Sequence, residues 1–125
     1  MTTEEPLSDR GRRLLDDPED RHDEAIAVLR RAVAAREPSS VALLARAYLD
    51  RGYRHEAIEL LSPRVTEERT DLALMLGDAL TDIGDMERAE EAYRLAMAGG
   101  DPAAMNTFGV FLRHRGRPGE AEQML

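Results

Sequence analysis

Apolar residues recur along this chain at two spacings. Within short segments they stand three or four positions apart, which is the spacing of one face of an α-helix. The segments themselves recur every 32 residues, each built around a glycine with an alanine five positions after it. The glycines are Gly52, Gly84 and Gly116, the alanines are Ala57, Ala89 and Ala121, and large apolar residues precede them at Leu44, Tyr48, Leu76, Leu80, Phe108 and Leu112. A fixed period of this length is typical of stacked helical repeats.

One repeat is predicted to be a pair of helices joined by a glycine turn. Ser39 or Ser40 can cap the first helix by accepting a backbone N–H, and Gly52 can end it in the left-handed conformation. A second apolar stripe begins at Ala57. We expect it to end near Pro63, because proline lacks the N–H and clashes with the preceding turn.

The other repeats vary the same design. Asp71 is expected to precede the next first helix, and Gly99-Gly100 to stop the second helix of that pair. Asp101-Pro102 supplies an N-cap with proline at the first helical position, and Met105 is placed on the apolar stripe that follows. A weakly periodic helix within residues 7–16 begins an irregular first repeat.

These repeats predict one all-α domain over residues 1–125. The irregular repeat covers residues 7–37, two regular repeats cover 38–69 and 70–101, and an incomplete repeat covers 102–125. The chain stops inside the second helix of that last repeat. We therefore expect either that it is a piece of a longer protein or that another molecule covers its open end.

Composition narrows the possible functions. The net charge of −8 argues against broad attraction to nucleic acid or to an anionic membrane. Cysteine and lysine are absent and all 17 basic residues are arginine, which excludes thiol nucleophiles, Schiff-base lysines and the P-loop lysine. No apolar run approaches the roughly 20 residues of a membrane span, and the amino-terminal residues lack the apolar stretch of a secretory signal. We expect a cytoplasmic protein, and the arginine bias favours a bacterial gene.

The combined spacing resembles the tetratricopeptide repeat family. The pattern is carried by Ala73, Leu76-Gly77, Leu80, Gly84, Ala89, Tyr93 and Ala96, and residues 92–104 also resemble the junction of Sel1-like repeats. The resemblance covers roughly residues 20–125. It implies a right-handed α-solenoid of three to four stacked antiparallel helix pairs, whose first helices line a concave groove that binds a peptide or helix. The period is shorter than the family's usual ~34 residues, which is expected to alter the superhelical twist.

The resemblance also indicates which side chains would face a partner. The first-helix positions opposite the apolar stripe hold the groove candidates Arg46, Leu49, Asp50, Leu74, Asp78, Asp82, Asn106, Val110 and Arg113. The polar candidates are acidic in the middle repeat and basic in the last, so we expect a partner segment with central lysines or arginines. The alternative is that these side chains are ordinary solvated helix faces. The family's clamp for a terminal carboxylate is not favoured, because the position of Arg46 becomes Asp78 and then Val110.

Motifs for chemistry do not accompany the repeats. The three histidines lack metal-ligand spacing, and the acidic run at residues 16–20 lacks the glycine and glutamate of an EF-hand, so it is interpreted as a loop. We expect no enzyme activity, no cofactor and no metal. Arginine clusters at residues 10–13 and 113–117 can contact phosphate, but no aromatic residues alternate with them. Nucleic-acid binding is therefore not favoured.

The leading prediction is a protein-interaction scaffold without catalysis. One alternative is structural self-association, in which the uncapped carboxyl-terminal repeat forms a homodimer that buries Phe111, Leu112, Met124 and Leu125. Another alternative is a docking fragment of a larger regulatory protein or enzyme.

Overall fold

The computed structural model describes residues 5–116. Over that range the chain forms seven α-helices and no β-strand. The helices are α1 (Leu7–Leu15), α2 (His22–Ala34), α3 (Ser40–Asp50), α4 (Arg54–Leu61), α5 (Thr70–Asp82), α6 (Met86–Ala98) and α7 (Pro102–His114). The helices predicted from the apolar spacing are present, including the weakly periodic first one.

The chain divides into two compact units, an N-terminal unit (Met1–Leu60) and a C-terminal unit (Leu61–Leu125). In the N-terminal unit, α2 packs against both α1 and α3. Its core includes Leu14, Leu29 and Tyr48, which are all buried. Gly11 lets α1 approach α2 closely, since a Cβ at this position would lie 2.4 Å from Leu29 Cδ2.

In the C-terminal unit, α6 packs against both α5 and α7. Ala73, Ala96 and Ala104 have no exposed surface and form one apolar cluster. A Cβ at Gly77 of α5 would lie 2.6 Å from Cε1 of Tyr93 on α6. Small residues therefore set the spacing between these helices.

The glycine turns form as predicted. Gly52 and Gly84 follow α3 and α5 with φ angles of 76° and 85°, and Gly116 has a φ of 75°. After α3, the Gly52 N–H donates to the Leu49 carbonyl at 3.0 Å and the Tyr53 N–H donates to the Tyr48 carbonyl at 2.8 Å. This pair of bonds is the Schellman motif, which favours glycine because of its left-handed backbone. Ala121, Met124 and Leu125 lie outside the described residues.

Two predicted helix starts are wrong. Ser39 does not cap α3 with its side chain and instead has a φ of 64°. The Ser40 hydroxyl donates to the Glu37 carbonyl at 2.7 Å, so it is held by the preceding turn rather than by α3. The helix α5 begins at Thr70, which places Asp71 inside its first turn rather than before it.

The start of α7 is as predicted, but one residue on its apolar face is not. The Asp101 carboxylate accepts the Ala103 N–H at 2.9 Å, and Pro102 is the first helical residue. Met105, however, is 44% exposed, whereas Ala104 is fully buried. Ala104 stands four positions before the buried Phe108, so it rather than Met105 continues the core stripe.

Candidate functional site

A cavity of about 340 Å³ opens in the C-terminal unit. Asp78 and Thr81 of α5, Tyr93 of α6, and Asn106 and Val110 of α7 contribute to its walls. Three of the predicted groove residues, Asp78, Asn106 and Val110, therefore line one cavity.

Helical spacing explains the wall that α7 provides. Asn106, Val110 and His114 stand four positions apart, so they follow one another along the same helix face. Phe108 and Leu112 occupy the opposite, buried face. Val110 is 44% exposed, which leaves an apolar side chain available at the cavity.

The Asp78 carboxylate is held by a hydrogen bond from another helix. The Tyr93 hydroxyl donates to Asp78 Oδ1 at 2.6 Å, and the Thr81 hydroxyl lies 3.4 Å from the same phenol. Burial raises the pKa of Asp78, the Tyr93 hydrogen bond opposes part of that rise, and the charge of Asp82 adds to it. Burial, together with the bond to Asp78, also raises the pKa of the Tyr93 phenol. The phenol therefore stays protonated and continues to donate to the carboxylate.

Aromatic rings form the apolar part of the cavity. The ring centres of Tyr93 and Phe111 are 5.2 Å apart, with the ring planes inclined by 56°. Phe111 in turn stacks with Phe108 at 6.0 Å. Met86 at the start of α6 adds a flexible thioether side chain to the lining. Such soft, apolar walls adapt to side chains of different shape.

Positive charge is present near the carboxyl end of α7. His114 is the last residue of the helix, Arg115 follows it, and both line the cavity. The Arg115 guanidinium carbon lies 5.9 Å from the centre of the Phe111 ring, within the range of a cation–π contact. The cavity thus combines a carboxylate, aromatic surface and a guanidinium group.

The predicted groove residues of the N-terminal unit lie in an ion-pair network. Arg46 pairs with Asp16 at 3.1 Å and with Asp50 at 3.9 Å. Asp50 also lies 3.1 Å from His22 Nε2, while Asp20 lies 2.9 Å from His22 Nδ1. The loop before α2 is therefore tied to α3 by these side-chain contacts.

The remaining predicted groove residues do not line the cavity. Leu49 is partly buried against the N-terminal core, and Leu74 is partly buried against the alanine cluster of the C-terminal unit. Asp82 and Arg113 are exposed. Asp82 still affects the cavity, because its charge acts on Asp78 one helical turn away.

Sequence reasoning missed the aromatic lining because Tyr93 was assigned to the apolar repeat pattern and Phe111 to the surface of a homodimer. Both are buried, at 3% and 5% exposure. The Tyr93 hydroxyl was the available signal, because a buried phenol needs a hydrogen-bond partner. An acidic or hydroxyl side chain on the neighbouring helix was therefore to be expected.

Two other surfaces considered from the sequence are engaged in contacts among the described residues. Phe111 and Leu112, half of the expected dimer surface, are buried within the chain. The first arginine cluster lies on α1, where Arg12 pairs with Asp9 at 3.7 Å and Arg13 pairs with Glu5 at 2.6 Å.

No helix of the described range is long and apolar enough to cross a membrane. Residues 5–116 also contain no group of three metal-ligating side chains placed to hold an ion.

The geometry can be compared with known proteins. A sequence model of the tetratricopeptide repeat family matches residues 70–98, which contain α5 and most of α6. Comparison with curated proteins gives no sequence match. Two crystal structures of MamA are similar in fold, with TM-scores of 0.80 and 0.78, and both are 21% identical in sequence. Each similarity covers 94% of this chain, and 71% and 67% of the two MamA chains.

At that level of identity the likeness to MamA establishes the fold. The predicted all-α fold of stacked helix pairs is confirmed, while the Sel1-like resemblance stays a prediction. The family model thus matches α5 and most of α6 of an all-helical fold that is similar to that of MamA.

Proposed function

We propose that this protein binds a peptide or helix of a partner protein along α5 and α7 and has no catalytic role. The observation that carries this proposal is the cavity in which Asp78, Asn106 and Val110 meet. Apolar surface next to a few fixed polar groups is typical of sites where apolar contacts give affinity and polar contacts set orientation. The two helices begin successive repeats, so a bound segment would contact both.

We further propose that the partner segment carries basic residues. Asp78 and Asp82 lie one turn apart on α5, and like charges at this spacing repel. Of the described residues, none forms an ion pair with Asp78, whose carboxylate accepts the Tyr93 hydroxyl instead. A lysine or arginine of a partner would offset this repulsion. A partner cation would stabilise Asp50 of the N-terminal unit less, because Asp50 already pairs with Arg46.

Charge reversal on α5 tests this function. The double variant Asp78→Arg with Asp82→Arg is expected to lose binding to basic segments on a peptide array, because attraction becomes repulsion at the same positions. Equal binding of basic peptides by the variant and the wild type would remove the proposal.

A matched variant separates a local effect from net charge. Asp9→Arg with Glu19→Arg makes the same change of net charge at exposed sites of the N-terminal unit. This variant is expected to bind basic peptides nearly as well as the wild type, since neither residue lines the cavity. Circular dichroism of both variants shows whether the helices persist.

Self-association is the second candidate function and has less support. Phe111 and Leu112 are buried within the chain, so a homodimer would have to use other apolar groups, such as the exposed Met105 and Val110 of α7. Light scattering separates the two candidates. A dimer disrupted by Val110→Asp would favour self-association, whereas a monomer would favour partner binding.

We retain the predicted repeat boundaries as a proposal. The helix pairs α1–α2, α3–α4 and α5–α6 fit within residues 7–37, 38–69 and 70–101, and α7 begins the repeat at 102–125. A role as a docking fragment of a larger protein, a cytoplasmic location and a bacterial origin also stay predictions.

A further inference from the structure

We infer that the cavity of the C-terminal unit recognises an arginine side chain of the partner and discriminates against lysine. This inference rests on the proposed partner-binding function and names the group that the site selects. Three features of the cavity support it: its hydrogen-bond acceptors, its aromatic surface and the arginine that already contacts that surface.

The acceptors suit a guanidinium group better than an ammonium group. Asp78, Asn106 and Thr107 of the cavity lining together present several side-chain oxygens. A guanidinium group has five N–H donors in one plane, whereas an ammonium group has three donors around a point charge. Asp78 is fixed by the short bond from Tyr93, so an incoming guanidinium group would meet an oriented carboxylate. Charge-assisted bonds of this kind are stronger than neutral ones.

The aromatic surface favours the same group. Tyr93 and Phe111 are neighbouring rings of the cavity lining with their centres 5.2 Å apart, and Arg115 contacts the Phe111 ring. A guanidinium plane stacks on such rings and is weakly hydrated, whereas an ammonium group binds water strongly and loses more on entering an apolar cavity. The protein makes this contact elsewhere, because the Arg94 guanidinium carbon lies 5.1 Å from the Phe108 ring centre. Met86 and Val110 can cover the aliphatic stem of an arginine.

Arg115 already makes the contact that a partner arginine would make. Its guanidinium carbon lies over the Phe111 ring at 5.9 Å, and its side chain lines the cavity. A second cation must therefore displace Arg115 or lie beside it, where the two positive charges repel each other. From this we expect Arg115→Ala to strengthen binding of an arginine segment, even though the substitution removes a contact from the free protein. Because Arg115 already brings a positive charge to the cavity, a segment with one arginine should bind better than one with several.

The test measures binding of short peptides to the full chain. The probe is an acetylated and amidated peptide of alanine and serine with one central arginine, and its matched forms carry lysine or citrulline at the same position. Binding is followed by NMR shifts of the Tyr93 and Val110 signals during titration. We expect the lysine peptide to bind about fivefold more weakly. Citrulline keeps the shape but loses the charge, and it is expected to bind at least about tenfold more weakly.

Two variants connect the selectivity to the cavity. Asp78→Asn keeps an acceptor for Tyr93 but removes the charge, and should abolish the preference for arginine over citrulline. Glu87→Gln removes the same charge at an exposed position of α6 outside the cavity lining and should retain that preference. Arg115→Ala should bind the arginine peptide more tightly than the wild type.

The outcomes separate the inference from the function on which it rests. Equal affinities for the arginine and lysine peptides, or no shift of the cavity signals with any peptide, would overturn the arginine inference. The proposed function stands even if the arginine inference fails, provided that the variant with charge reversal at Asp78 and Asp82 no longer binds basic segments on the array. If charge reversal has no effect on the array, the proposed function fails as well.

Discussion

Gly77 lies where α5 and α6 approach each other, and the absence of its side chain is needed there. A Cβ would stand 2.6 Å from Tyr93 Cε1 and 2.8 Å from Cδ1. The ring cannot move away without giving up its hydroxyl bond to Asp78. We expect Gly77→Ala to lower the free energy of unfolding by about 1 kcal/mol, because overpacking of up to about 3 kcal/mol outweighs the roughly 1 kcal/mol that alanine gains in helix propensity. Urea denaturation followed by circular dichroism measures this loss.

The background variant Tyr93→Leu shows whether the ring causes the loss. Leucine removes the ring atoms that the new methyl group would meet, so Gly77→Ala should be neutral or stabilising in that background. The difference between the two backgrounds is the coupling between the two residues. The same loss in both backgrounds would contradict the role assigned to Tyr93.

Glu37 caps a helix that is distant in sequence, and this predicts a dependence on pH. Its carboxylate accepts the Ser8 N–H at 2.9 Å, the Ser8 hydroxyl at 2.8 Å and the Leu7 N–H at 3.2 Å. These bonds, chiefly that from the Ser8 backbone, hold the pKa of Glu37 below its ordinary value of 4.5. A carboxylate with a lowered folded-state pKa stabilises the protein above its unfolded-state pKa, and this contribution is lost as the pH falls through the folded-state pKa.

The comparison of wild type with Glu37→Gln isolates this contribution. We expect the variant to melt at a lower temperature than the wild type at pH 7, because an amide accepts the α1 N–H groups more weakly than a carboxylate. The difference should shrink as the pH falls below about 4.5 and the wild-type carboxylate is protonated. Melting temperatures from circular dichroism at pH 7 and pH 3 measure both values. A difference that stays constant over this range would show that Glu37 does not act through its charge.

The ends of three helices use the same hydrogen-bond pattern with different residues. After α2, the Arg36 N–H donates to Val33 and the Glu37 N–H donates to Ala32, both at 3.0 Å. This is the Schellman pattern found at Gly52 and Gly84, but here arginine holds a φ of 56°. An L-residue in this conformation costs about 1–2 kcal/mol, whereas glycine adopts it freely.

Arg36→Gly is therefore expected to stabilise the protein. The gain should be about 0.5–1 kcal/mol, because glycine relieves the backbone strain but also loses more entropy on folding. Gly84→Ala is the reverse substitution at the corresponding turn, where a Cβ would meet no atom within 4 Å. It should cost about 1 kcal/mol from backbone conformation alone. Urea denaturation measures the free energy of unfolding of both variants. A lower free energy of unfolding for Arg36→Gly would show that the arginine side chain stabilises the protein by more than its backbone strain costs.

For the whole molecule, the sequence predicted most features that depend on local spacing, although the caps expected at Ser39 or Ser40 and at Asp71 were wrong. The glycine turns at Gly52 and Gly84 and the Asp101 cap follow from residues within one helical turn, and the structure confirms them. The Glu37 cap joins residues about 30 positions apart, so no local pattern reveals it. The cavity was only partly predictable. Helix periodicity placed Asp78 on the outer face, but the bond from Tyr93 depends on how α6 packs against α5.

The division of the chain into two compact units leads to a prediction about energetic coupling. Gly11 in the N-terminal unit faces Leu29, as Gly77 in the C-terminal unit faces Tyr93, and each glycine contacts residues of its own unit. Gly11→Ala should therefore destabilise by overpacking in the same way as Gly77→Ala. Because the two substitutions share no contact, their effects on the free energy of unfolding should add to within about 0.5 kcal/mol.

The double variant Gly11→Ala with Gly77→Ala tests this additivity against the two single variants by urea denaturation. Substitutions at residues that share no contact usually have additive effects on the free energy of unfolding. In a repeat protein, such effects are coupled only through the interfaces between neighbouring repeats. An additive loss with a single transition would mean that strain in one unit stays local although both units unfold together. Two separate transitions would mean that the units unfold independently. A coupling above about 1 kcal/mol would contradict the prediction, because strain at Gly11 would then have to reach the packing around Tyr93.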